Sequence, residues 1–141
     1  MRNNPERMRY QKNAVSFYLC LLAVAADVLY FIFLYTWKNV RPDIHIGADI
    51  LINIFFMLFA FLASEKTKTY VKNWSYALFA VAAVQLLRVF YCPLKLFDIL
   101  GAAGFCVTAG MLAAGAAALA AAGLINLIKS KILIGYLAGI E

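Results

Sequence analysis

Four stretches of the chain are apolar over the length of a membrane-crossing helix, and polar residues gather between them. Residues 14–37, 47–63, 75–91 and 105–128 each hold at most one charged side chain. A hydrocarbon core takes roughly 17 to 25 apolar residues to cross as a helix. The pattern therefore predicts one all-α domain over residues 1–141, an integral membrane four-helix bundle of four transmembrane helices.

The polar segments predict what joins the spans. Residues 1–13 form a basic N-terminal segment. KNVRPDIHI (38–46) reads as a short external loop with a turn at Arg41, Pro42 and Asp43. SEKTKTYVKNW (64–74) is expected to be a cytoplasmic loop with Tyr70 and Trp74 at the interface. Pro93 lacks a backbone donor and should end the third span near Cys92. The stretch 93–104 would then lie in the outer interface, and the tail 129–141, too short to cross again, along the inner surface. A cleaved signal peptide is the rival for the first span, because a basic start leads to an apolar run with the triplet Ala23-Val24-Ala25. The run continues to residue 37 beyond that triplet, which favours a retained span.

Composition removes the soluble alternatives. Of 141 residues 65% are hydrophobic and 14% charged, with a mean hydropathy of +0.82, against about 25% charged in ordinary soluble domains. The formal net charge of +6 does not point to nucleic acid, since no basic face with interleaved aromatics remains once the spans are set aside. Arg88 alone among the Lys and Arg residues lies within a span. Arg2, Arg7, Arg9, Lys12, Lys66, Lys68, Lys72, Lys129 and Lys131 fall on one side, and Lys38, Arg41 and Lys95 on the other. The positive-inside rule places the larger group, and so both termini, in the cytoplasm. This bias suits a bacterial inner (plasma) membrane.

Buried polar residues are the chemistry the sequence exposes, because each needs a protein partner, a cavity or a route to the interface. Asp27 lies near the middle of span one, on a stripe with Ser16, Cys20, Ala23 and Tyr30 at helical spacing. Asp49 and Asn53 head a stripe in span two with Met57, Ala60 and Ser64. Gln85 and Arg88 share a face of span three. Depth estimated at about 1.5 Å per residue pairs Asp27 with Gln85 at the midplane and Asp49 with Arg88 further out. Either these residues fix the packing of the helices or they form a proton or cation site. Span four carries Gly110, Ala114, Ala118, Ala122 and Asn126 at four-residue intervals, a small-residue stripe suited to close helix packing.

The remaining reactive types assemble nothing. His45, the single histidine, lies at the outer end of a loop, which argues against a haem or metal site inside the bundle. Cys20, Cys92 and Cys106 show no metal-ligand spacing, although Cys92 and Cys106 lie near the outer ends of their spans, where a disulfide is conceivable. No internal repeat relates the first two spans to the last two. No nucleophile with its base and no metal triad can be built, so an enzyme and a cofactor are not expected.

A lone midplane carboxylate in the first span resembles the membrane-embedded glutamate of small multidrug resistance exporters. The resemblance rests on Asp27 and the number of spans. This chain is longer, begins with a basic head, uses Asp for Glu and lacks that family's first-helix pattern, so membership does not follow. The resemblance implies a small oligomeric proton-coupled transporter or channel working through Asp27. The reading preferred from the residues is a non-catalytic accessory or structural subunit of a larger membrane complex such as a transporter. Its expected partners are the lipid bilayer and other membrane subunits or further copies of itself, with no nucleic acid. Short loops, the close-packing fourth span and the aromatic runs FIFLY (31–35) and IFFMLFAF (54–61) favour it.

Overall fold

The computed structural model describes residues 5–8, 11–36 and 44–139. Among these the elements are helical: α1 (Pro5–Met8), α2 (Ala14–Thr36), α3 (Ile44–Lys68), α4 (Asn73–Lys95) and α5 (Phe97–Ala138). Four of them, α2 to α5, are long and apolar enough to cross a membrane. The turn expected at Arg41, Pro42 and Asp43, and the side chain of Cys92, lie outside the described residues. Cys20 and Cys106 carry free thiols.

The helices turn their small and polar residues inward at a period near 3.6. On α2 the buried residues are Ser16, Cys20, Ala23, Asp27, Tyr30 and Leu34. On α4 Ser75, Leu78, Ala82, Gln85 and Arg88 are buried. The bulky apolar residues face outward, among them Leu51, Phe55, Leu58, Leu87 and Phe90, the inverse of a soluble bundle. Helix α5 lies along both α4 and α2, and α2 lies along α3, whereas α3 and α4 touch less extensively.

Three stretches expected to be loops or surface segments are helical instead. Helix α3 continues through Ser64 to Lys68, where Glu65 and Lys68 pair at 2.6 Å and cationic side chains meet the negative end of the helix. It ends at Lys68, and two residues on the Tyr70 φ of 58° turns the chain off the helical path. Helix α4 runs past Pro93 to Lys95. The proline lacks the N–H that would bond the Val89 carbonyl, and the helix ends two residues after it. After Leu96 a single turn leads to Gly101, whose φ of 67° and ψ of 178° interrupt the helical path in a region open essentially to glycine alone. The tail beyond residue 128 is continuous with α5, because KSKILI offers no residue that would stop a helix. From Ala102 to Ala138 α5 is about 55 Å long, well beyond the ~30 Å of a hydrocarbon core.

The small-residue stripe expected on the last helix divides. Ala118, Ala122 and Asn126 are buried, but Gly110 and Ala114 are exposed. Steps of four residues rotate about 40° each on a 3.6-residue helix, so a strict stripe leaves the contact face within two turns. The close approaches occur at other glycines. A Cβ on Gly123 would stand 3.1 Å from the Ser75 carbonyl oxygen and 3.3 Å from Leu78 Cβ, and one on Gly115 3.3 Å from Gln85 Nε2, while nothing lies within 4 Å of Gly110.

Replacing Gly123 with leucine should therefore destabilise the detergent-solubilised protein by about 1–3 kcal/mol through overpacking, with Gly110→Leu nearly neutral in the monomer. Thermal melts of the two variants check this. Equal losses would contradict the assignment of the close contact to Gly123.

Candidate functional site

The polar residues of α2, α3 and α4 meet midway along the bundle. Asp27 and Asp49 are each 1% exposed and Arg88 4%, so the protein itself must supply their solvation. Arg88 Nη2 donates to Asp49 Oδ1 at 3.1 Å and to Asn53 Oδ1 at 3.0 Å. Its Nη1 donates to Gln85 Oε1 at 3.2 Å and stands 4.0 Å from Asp27 Oδ1. Gln85 Nε2 donates to Asp27 Oδ1. Tyr30 donates its hydroxyl to Asp49 Oδ2 at 2.6 Å, and Asn53 Nδ2 donates to the Asp27 carbonyl oxygen at 3.0 Å. The guanidinium also lies over the rings of Phe56 and Tyr30, with Cζ 5.1 and 5.4 Å from their centroids, a cation–π arrangement.

Both pairings expected from depth thus occur, but within a single layer. Gln85 and Arg88 lie three residues apart, about 4.5 Å along the axis, and the arginine side chain spans that difference, so it reaches both depths at once. Tyr30 completes the layer. The sequence places it on the buried stripe of α2 without indicating its partner.

Apolar clusters close the layer on both sides. Toward the end where the N-terminal segment meets the α3–α4 turn, Cys20, Ala23, Ala60, Ala63, Leu78, Ala82, Ala118, Leu119 and Ala122 form one cluster. Toward the opposite end Tyr30, Leu34 and Leu112 form another. Two buried atoms of the layer, Asp27 Oδ2 and Arg88 Nε, have no hydrogen-bond partner among the described residues. Two carboxyl groups face one guanidinium, so with both ionised the layer holds one negative charge in excess.

A second polar network, which sequence reasoning missed, lies beyond the first cluster. Asn13 Nδ2 donates to Ser16 Oγ at 2.8 Å and Asn126 Oδ1 at 3.3 Å, and Asn126 Nδ2 donates to Ser75 Oγ at 2.9 Å and the Val71 carbonyl oxygen at 3.0 Å. Ser16 Oγ donates to the Ala122 carbonyl oxygen at 3.1 Å, and Lys129 Nζ to Asn13 Oδ1 at 3.1 Å. Each asparagine side chain donates two bonds and accepts one, which ties α2, α4 and α5 together. Asn13 stands at the boundary of the basic head, where a polar residue gives no signal of burial. Asn126, expected as part of a packing stripe, is instead a hydrogen-bonding hub. His45 is exposed, 3.4 Å from the Tyr91 hydroxyl, and no cluster of three His, Cys, Asp or Glu side chains able to hold a metal occurs among the described residues.

Removing the cation should cost far more than removing one hydrogen bond. Arg88→Met leaves two buried carboxyl groups without their counter-charge and is expected to destabilise by about 3–5 kcal/mol. Tyr30→Phe should cost about 1 kcal/mol. Thermal denaturation in detergent gives the ranking, and a Tyr30→Phe loss matching that of Arg88→Met would contradict it.

In comparisons with known proteins the chain matches no family model, no curated protein and no solved structure, so a functional reading rests on the geometry of the polar layer.

Proposed function

We propose that this chain is a multi-pass protein of a bacterial inner membrane, with four spans and both termini in the cytoplasm, and that it serves as a non-catalytic subunit of a larger membrane assembly. The observation that carries this reading is the enclosure of the charged layer. Leu78 and Leu119 lie on one side of it, Leu34 and Leu112 on the other, all 2% exposed or less, and most of the polar atoms between them bond to another helix of the same chain. Such an interior fixes helices; it offers neither a convergent catalytic group nor a wet path. The orientation is supported by the uneven distribution of Lys and Arg.

The outer surface of α5 supports assembly. Ala103, Cys106, Gly110, Ala113, Ala114 and Ala117 are exposed and share one helix face. Small side chains let a neighbouring helix approach closely where no hydrophobic force drives association. The residues that leave the internal contact face of α5 thus form an external one.

A proton-coupled transporter is the second reading, favoured by the excess negative charge of the layer and the unpartnered Asp27 Oδ2, which could carry a proton. It requires that the apolar clusters open.

A photo-crosslinking residue at Gly110, introduced in cells, should join the chain to protein, whereas one at Leu51 or Phe55 should not, and Gly110→Leu should reduce crosslinking from Ala114 by about tenfold. Crosslinks from no position on α5 would overturn the subunit reading, and Asp27-dependent proton flux in liposomes would favour the transporter. A fluorescent protein fused to the C-terminus should fluoresce and an alkaline phosphatase in the same place should stay inactive; the reverse would overturn the orientation.

A further inference from the structure

Beyond the break at Gly101, helix α5 leaves one face uncovered along its whole length. Ala103, Gly110, Ala117, Leu124, Lys131 and Ala138 recur at intervals of seven residues, and each of them is exposed. Cys106, Ala113 and Ile134, each three residues after a member of that series, are exposed as well. The residues of α5 buried from Gly104 onward, Leu112, Gly115, Leu119 and Gly123 among them, fall at the remaining positions. Alternating steps of three and four residues are the spacing by which one helix coils around another. On a straight helix such a stripe would turn away by about 20° per heptad, whereas here it stays exposed from Ala103 to Ala138.

Lipid alone does not account for this face. With the chain inserted as proposed, a hydrocarbon core of about 30 Å takes about 20 residues of α5 to cross, so from Ala102 it ends near Ala122. Lys129, which donates to Asn13 at 3.1 Å, marks the headgroup level beside Lys12. Ile134 is 53% exposed and lies about 7 Å further along the axis, past the acyl chains. What covers the whole face is therefore a helix of nearly equal length, running from the outer surface past the inner headgroups. This chain holds such a helix, α5 itself, and insertion in one orientation sets it at the same depth in every copy. Two α5 helices side by side oppose Gly110 to Gly110 and Ala117 to Ala117 in the outer half, where small residues permit close approach, and Leu124 and Ile134 to their equivalents in the inner half. A strip about 50 Å long and about 10 Å wide buries about 1,000 Å² over two copies, the size a specific interface requires.

We propose that two copies of this chain pair in parallel through α5, along the seam from Ala103 to Ala138. The inference rests on the subunit reading above and names the partner as a second copy. Lys131 is the one charged residue of the seam. It lies beyond the hydrocarbon core, where its ammonium group reaches water, and a single lysine at such a position fixes register and the number of helices at a cost in stability. The outward faces of α3 and α4, with Phe55 and Leu87 exposed, stay against lipid.

The test uses the full-length chain in liposomes with Cys20→Ala and Cys92→Ala, which leave Cys106 as the remaining thiol. Oxidation with copper phenanthroline should join two copies through Cys106. With Cys106→Ala added, the variants Gly110→Cys, Ala117→Cys and Ile134→Cys should each give a covalent dimer, and Phe55→Cys should stay at background. In detergent, sedimentation equilibrium should show a dimer whose dissociation constant rises roughly tenfold in Gly110→Leu, a change the monomer accommodates because nothing lies within 4 Å of a Cβ at that position. Absence of a covalent dimer from every α5 position, or a yield from Phe55→Cys equal to theirs, would overturn the pairing. Dimers from Cys106, Gly110→Cys and Ala117→Cys with none from Ile134→Cys would overturn a seam that continues past the headgroups. A chain that is monomeric and does not crosslink to itself, yet is joined in cells from Gly110 to a different protein, overturns this inference alone, whereas loss of both kinds of crosslink also counts against the subunit reading.

Discussion

Arg88 carries its guanidinium into the middle of a bundle where only other side chains can solvate it, and much of the interior is arranged around that requirement. Asp49 and Asn53 meet it from α3, and Gln85 meets it from its own helix while also binding Asp27 on α2. A charge buried without such partners would cost several kcal/mol. The arginine therefore sets the relative height of three helices. It does so where apolar contact is thinnest, since α3 and α4 touch each other less than either touches its other neighbour. Polar bonds hold that seam, whereas α5 combines close approach at Gly115 and Gly123 with the hydrogen bonds of Asn126.

The two modes of packing have different consequences. Close backbone approach along α5 depends on what is missing from a side chain, so any larger residue at Gly123 must displace the Ser75 carbonyl or Leu78. The charged layer depends on what is present, and each polar atom restricts its neighbours. With the asparagine network joining α2, α4 and α5 near the α3–α4 turn, the interior alternates polar and apolar levels. This register opposes sliding of one helix past another, because a shift of α4 that sets Ala82 against Asp27 would take away its Gln85 donor.

The span count, the buried stripe of α2 and the grouping of Asp27, Asp49, Asn53, Gln85 and Arg88 were all legible in the sequence. Each follows from two rules, that a charge within an apolar run must face protein and that side chains one turn apart share a face. The merging of two depths into one layer was not legible, because it depends on the reach of one arginine side chain, which residue counting along the axis ignores. Asn13 and Ser75 were not legible as buried either, since both sit at the margins of apolar runs, where polar residues are ordinary. The stripe on α5 failed for a geometric reason, as an interval of four residues overshoots a turn. The expected stops at Ser64, Pro93 and Ile128 failed because composition marks where a chain becomes polar, which need not be where a helix ends.

The separation in sequence between Asp27 and Gln85, 58 residues, also bears on biogenesis. In a chain made from its N-terminus and inserted as proposed, the Asp27 carboxyl group is present long before its Gln85 donor, whereas Asp49 finds the Tyr30 hydroxyl already there. Both must wait for Arg88, and α5, which covers the layer, comes last of all. Until the third helix is made, the first two are joined by Tyr30 to Asp49 and by Asn53 to the Asp27 carbonyl, with no counter-charge for either carboxyl group. A fragment ending before Arg88 would keep the contact between α2 and α3 but carry two buried carboxyl groups with no cation beside them.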